Sequence, residues 1–115
     1  FGFVTYANEA KRDLIGVSWD DLVSHGAVSE PVARQMAEGA LQVAQADLAI
    51  SATGIAGPTG GSEEKPVGTV FLGLATRGEE TRVLRQYHPW GRIAFRRQVS
   101  QAALNLVRQA LQDPA

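Results

Sequence analysis

Three groups of residues in this chain have the types and spacing to do chemistry. The first is Tyr6, Asn8 and Lys11, within Y-A-N-E-A-K. Tyr6 closes a strand-like run and Lys11 lies one turn into the helix that follows. The C-terminal ends of strands are where open α/β sheets place ligand sites. A lysine acts as a general base near neutral pH only if burial or a neighbouring cation lowers its pKa. Without that, Lys11 is a solvated helix residue. The second group is Thr53 with the segment it opens, T-G-I-A-G-P-T-G-G-S-E-E-K-P-V-G-T-V, which includes Lys65. Five glycines fall between Gly54 and Gly68, with two prolines among them. Such a loop is costly in backbone entropy, and long connections inside compact domains are usually functional or disordered. Bare backbone N–H groups there can meet a phosphate or carboxylate. Thr53 has the hydroxyl to hold a ligand or a catalytic group, or simply to satisfy a turn. Lys65 has the point charge to hold a phosphate. The third group is Arg92, Arg96 and Arg97, opening the last helix. Arg92, nearest its N-terminus, is best placed for an anion, and the other two read as surface residues.

Several chemistries are excluded by pattern. The glycine segment lacks the G-K-[ST] ending of a Walker A motif, and a strand follows where that motif needs a helix. It is not a G-x-G-x-x-G dinucleotide turn either. No serine stands in a G-x-S-x-G elbow, and Glu63 and Glu64 read as solvated loop residues rather than a glycosidase pair. There are no cysteines, which removes disulfides, thiolate metal sites and thiol nucleophiles. The two histidines, His25 and His88, lie far apart in sequence. Neither a metal nor an organic cofactor is expected.

The 115 residues are 44% hydrophobic and 20% charged, enough for one core and one domain. Net charge is −1, which gives no overall field for nucleic acid or an acidic membrane. Residues 1–75 carry four Lys/Arg against nine acids, and residues 76–115 carry seven arginines against three acids. That basic C-terminal part suits an anionic small molecule or is an ordinary solvated helix face. No apolar run approaches a membrane span and no signal peptide is visible, so a cytoplasmic location is the expectation. The chain starts at once in strand-like alternation, which suggests that an N-terminal piece precedes Phe1.

The elements that must position these groups follow from periodicity. Residues 2–6 read as a short strand. Asn8 reads as the N-cap of a helix through Glu9–Leu14 that Gly16 ends. Ser18 caps a further turn, W-D-D-L-V. Ser29 caps a longer helix with Glu30 and Pro31 in its first turn and Val32, Met36, Ala40 and Val43 as its buried stripe. Strands are expected over Asp47–Ser51, Val67–Thr76 and Thr81–His88, with R-G-E-E as the second hairpin turn. Arg82 and Arg85 mark an exposed edge. A long helix runs from Gly91 to about Gln112, with Ile93, Val99, Ala102, Ala103, Leu106 and Ala110 inward. The order β-α-α-β-β-β-α implies an α/β fold whose mixed β-sheet is covered by helices on both faces.

F-V-T-Y-A-N-E-A-K, H-G-A-V-S-E-P-V, the glycine segment and the closing G-R-x-x-x-R-R-Q together resemble the CinA C-terminal family, known as competence-damage-inducible proteins. The resemblance covers the whole chain. It implies a three-layer α/β/α fold and hydrolysis of the carboxamide of nicotinamide mononucleotide, giving nicotinate mononucleotide and ammonia. It implies a serine nucleophile paired with a lysine base. Carried over by motif, Lys11 is the base and Thr53 the polar member that positions the pair. Tyr6 and Asn8 match pocket positions, and Gly54, Ala56 and Gly57 match the loop whose backbone faces the ligand. Lys65 and Arg92 are candidates for the substrate phosphate. The partner implied is a small-molecule nucleotide, with no nucleic acid and no membrane. One large departure stands out. The family's serine lies in an E-S-C-T-G-G segment on an opening strand–helix unit, and none of the serines here matches it. Without that unit an edge of the sheet is left unpaired, so a homodimer or aggregation is expected. The 115 residues alone are expected to lack amidase activity, and a non-catalytic nucleotide-binding or competence-related module is the alternative.

Overall fold

In the computed structural model, residues 1–112 are described. After an irregular opening segment, helices α1 (Asn8–Ile15), α2 (Trp19–His25) and α3 (Glu30–Ala44) precede three strands, β1 (Leu48–Gly54), β2 (Thr69–Thr76) and β3 (Arg82–Tyr87), and the chain closes with α4 (Arg92–Gln112). The caps act largely as the residue types dictate. Ser18 accepts the Asp21 N–H at 3.3 Å to start α2. Gly16 adopts a left-handed φ of 71° and ends α1. Ser29 occupies the N-cap of α3, but its hydroxyl donates to the Gly26 carbonyl instead of accepting from the helix. Asn8 is not the cap expected of it. Ala7 holds that position without a side-chain bond, and Asn8 is the first helical residue.

The strands lie in the order β1-β2-β3, each pair antiparallel. The strand expected over residues 2–6 does not form, so the described sheet is antiparallel rather than mixed. The physical reason is the lack of a partner ladder. Strand structure requires a neighbour's N–H and C=O groups, and a cleft separates residues 1–6 from β1. β2 is central and buried from Thr69 to Ala75. Its side chains alternate between two helical layers. Val70 and Leu72 pack with Phe95, Val99, Ala102 and Leu106 of α4. Phe71 and Gly73 point the other way, and a Cβ on Gly73 would lie 2.6 Å from the Ala33 carbonyl oxygen of α3. The sheet is therefore covered on both faces, which makes the fold α/β with three layers, α/β/α.

A second cluster, Ile15, Val17, Leu22, Val32 and Met36, joins α1, α2 and α3. Two expected core residues lie outside. Val43 is exposed near the end of α3, where the buried residues are Val32, Ala33, Met36 and Ala37. On α4, Ile93 is 74% exposed and Phe95 is 6% exposed. The inward stripe runs through Phe95 because Gly54, directly beneath it, leaves room for a ring.

Candidate active site

Lys11 is the most unusual polar residue of the chain. It sits on the inner side of α1 and is only 5% exposed. Its ammonium donates to the Thr5 carbonyl. None of the ion pairs among the described residues includes it. Burial without a counter-charge pushes its pKa below the ordinary lysine value. The sequence raised exactly this condition for a lysine base, and the three-dimensional packing of α1 against α3 supplies the burial.

Thr53 reaches the same cleft from β1. Its position opposite Phe71 puts it on the α3 side of the sheet. It is buried, and Oγ1 donates to the Ala27 carbonyl at 2.8 Å. That bond fixes the hydroxyl while leaving its lone pairs able to accept. The cleft measures about 720 Å³ and lies between residues 1–6 and β1. Lys11, Thr53, Tyr6 and Gly54 all line it, over an apolar floor that includes Ile15 and Met36. Tyr6 stands at the rim, 91% exposed. One serine also lines the cleft, Ser51, two residues before Thr53 on the same face. Its hydroxyl is buried and donates to the Ala33 carbonyl at 2.7 Å, so its proton points into α3 and away from any base.

Of the other sequence-selected residues, Asn8, Ala56, Gly57, Lys65 and Arg92 do not line the cleft, and Gly54 meets it only at its edge. Asn8 is exposed at the start of α1 and does not line the cleft. Gly54 turns its Cα towards α4, where a Cβ would come 2.8 Å from Phe95 Cζ. Ala56 packs on the α4 cluster. Gly57 is buried at a left-handed φ of 81°, and its carbonyl accepts from Arg92 Nη1 at 3.2 Å. Lys65 Nζ donates to the His25 carbonyl at 2.7 Å. Arg85, read from the sequence only as an edge charge, donates to the Glu64 carbonyl at 2.6 Å. Three cations thus hold the glycine loop through main-chain carbonyls. Sequence reasoning missed Arg85 and Phe95 because Arg85 stands in no motif and Phe95 fills an unspecified position of G-R-x-x-x-R-R-Q. The only available hint was an aromatic residue at the inward position of a helix.

The profile of the CinA C-terminal domain matches residues 1–111. The chain belongs to the CinA C-terminal domain family. Similar relatives include the nicotinamide-nucleotide amidohydrolase PncC of Escherichia coli strain K12, 55% identical over 113 residues, which covers 97% of this chain and 68% of that protein. A CinA-like protein of Akkermansia muciniphila is 55% identical over 104 residues, covering 90% of this chain and 25% of the relative. The crystal structure of the competence/damage inducible protein CihA from Agrobacterium tumefaciens superposes with a TM-score of 0.92 at 45% identity, covering 96% of this chain and 68% of that one. This member of the CinA C-terminal domain family therefore spans about a quarter of the longer CinA-like relative and about two thirds of the shorter amidohydrolase. Among its described residues no helix is long and apolar enough to cross a membrane.

Proposed function

We propose that this domain forms the base-bearing part of a nicotinamide mononucleotide amidohydrolase acting in pyridine nucleotide recycling in the cytoplasm. The observation that carries the reading is the buried, unpaired Lys11 sharing a cleft with Thr53 in a family that includes a nicotinamide-nucleotide amidohydrolase. Burial raises the neutral fraction of the amine, which is the form able to take a proton. The nucleophile is the serine of an E-S-C-T-G-G segment, which this sequence does not contain.

In the complete protein, neutral Lys11 removes the serine proton as Oγ attacks the carboxamide carbon. Thr53 positions the pair by accepting a hydrogen bond through the lone pairs that its bond to Ala27 leaves free. Backbone N–H groups near the start of the glycine loop stabilise the oxyanion, a role worth about 3 kcal/mol per donor. The carbon–nitrogen bond then breaks, the proton passes from Lys11 to the leaving nitrogen, and ammonia departs. Water attacks the acyl carbon, frees the serine and leaves the nicotinate nucleotide. Tyr6 and Asn8 border the nucleotide. In the 115-residue chain alone, the free edge of β1 is the place where two copies pair.

The test is ammonia release from nicotinamide mononucleotide. The 115-residue chain is expected to release none. A protein carrying the serine segment ahead of Phe1 is expected to turn over, and to lose turnover with Lys11→Met. Turnover by the short chain at the rate of the longer protein would overturn the serine assignment. A second reading, a nucleotide-binding module without catalysis, is favoured by the one cleft serine being bonded into α3. Calorimetric binding of the mononucleotide with no ammonia from either protein would support it.

A further inference from the structure

We infer that Arg92 is a positioning residue for the glycine loop and not a ligand of the substrate phosphate. The inference rests on the amidohydrolase reading of the cleft and assigns one residue within it. The loop leaves β1 under ladder-like control: the Ile55 N–H donates to the Thr69 carbonyl at 2.9 Å and the Gly68 N–H to the Ile55 carbonyl at 2.7 Å. Gly57 is two residues further on, beyond the reach of those bonds. There the chain is held by two contacts. Val67 closes one side, so that a Cβ on Gly57 would meet Val67 Cγ1 at 2.5 Å. Arg92 takes the carbonyl at 3.2 Å.

The helix that carries Arg92 is itself registered against the start of the loop. Phe95, three residues on and therefore on the same face of α4, packs into the space that Gly54 leaves by lacking a Cβ. Arg92 and Phe95 thus grip Gly57 and Gly54 from one helix face. A guanidinium bound to a carbonyl makes a charge-assisted bond, stronger than a neutral one. No ion pair among the described residues engages Arg92, so its donor is given to main chain. The start of the glycine loop, which meets the cleft at Gly54, is thereby set by α4 from the far side of the sheet.

Calorimetry on the 115-residue chain tests this with two probes, nicotinamide mononucleotide and the corresponding riboside without phosphate. Arg92→Ala is expected to weaken both by the same factor, about tenfold, the scale of one lost charged hydrogen bond. Arg92→Lys, which keeps a donor, is expected to recover most of the loss for both. A loss confined to the phosphorylated probe would make Arg92 a phosphate contact and overturn the inference. If R92A does not fold, R92M carries the same comparison, because it keeps the aliphatic stem and removes the donor. If neither probe binds the unsubstituted 115-residue chain, the nucleotide reading is decided by turnover of the protein carrying the serine segment, and amide exchange decides the positioning role. Faster exchange at Ile55–Gly57 in R92A, with α3 unchanged, supports it, and unchanged exchange there overturns it.

Discussion

Lys11 shows what burial does to one side chain. An ammonium removed from water without a carboxylate raises the free energy of the charged form, so the folded state binds its proton less tightly than the unfolded chain does. The sign of the linkage follows. Between the lowered folded pKa and the ordinary lysine value the unfolded state holds more protons, so stability rises with pH across that window. Below the folded pKa the full cost of burying the charge is present. Lys11→Met is therefore expected to melt no lower than the unsubstituted chain at neutral pH, and to lose the alkaline rise in Tm. A thermal melt series over pH checks both. In a serine-bearing protein the same lowering places the base limb of the rate profile below the ordinary lysine value, with activity rising as Lys11 deprotonates. Thr53→Val leaves the half-buried Ala27 carbonyl without its donor, a loss of about 1 kcal/mol, while Thr53→Ser keeps it. Denaturant unfolding of the two variants separates them.

Between elements, close approach decides more than periodicity does. α1 ends against α3 at Gly39, where an added Cβ would lie 1.7 Å from the Ile15 carbonyl oxygen. That oxygen is main chain and cannot swing aside, so Gly39→Ala must move α1, and Lys11 with it. A cost of about 3 kcal/mol is expected, at the upper end for overpacking, and urea unfolding measures it. The contact also explains how much of the site was legible in the sequence. Lys11 and Thr53 were selectable from motif and residue type alone. That they share a cleft depends on the α1–α3 approach and on the register that places Thr53 opposite Phe71. No single-sequence pattern reports either, since both are contacts between distant segments. The same limitation moved the α4 stripe from Ile93 to Phe95, because the room for the ring comes from Gly54, forty-one positions earlier.

At the scale of the whole molecule, the sheet has β1 at one border with its outer backbone groups facing a cleft instead of a strand. Edges of this kind recruit other chains. Sedimentation of the purified chain is expected to show concentration-dependent association, and Ala52→Lys, at an exposed position of β1, is expected to reduce it. A monomer at all concentrations would remove the pairing proposal. The sequence alone determined the helices, the three strands after residue 46 and the family, because caps, apolar periods and motif residues are local properties. It also excluded thiol chemistry outright. Only the tertiary structure decided that residues 2–6 lack a ladder, that Lys11 is desolvated, and that Arg92, Arg85 and Lys65 are bound to backbone carbonyls. A strand and a shifted pKa are not properties of the residues that bear them. Each depends on what the folded chain brings alongside, and for β1 and Lys11 those neighbours are set by packing.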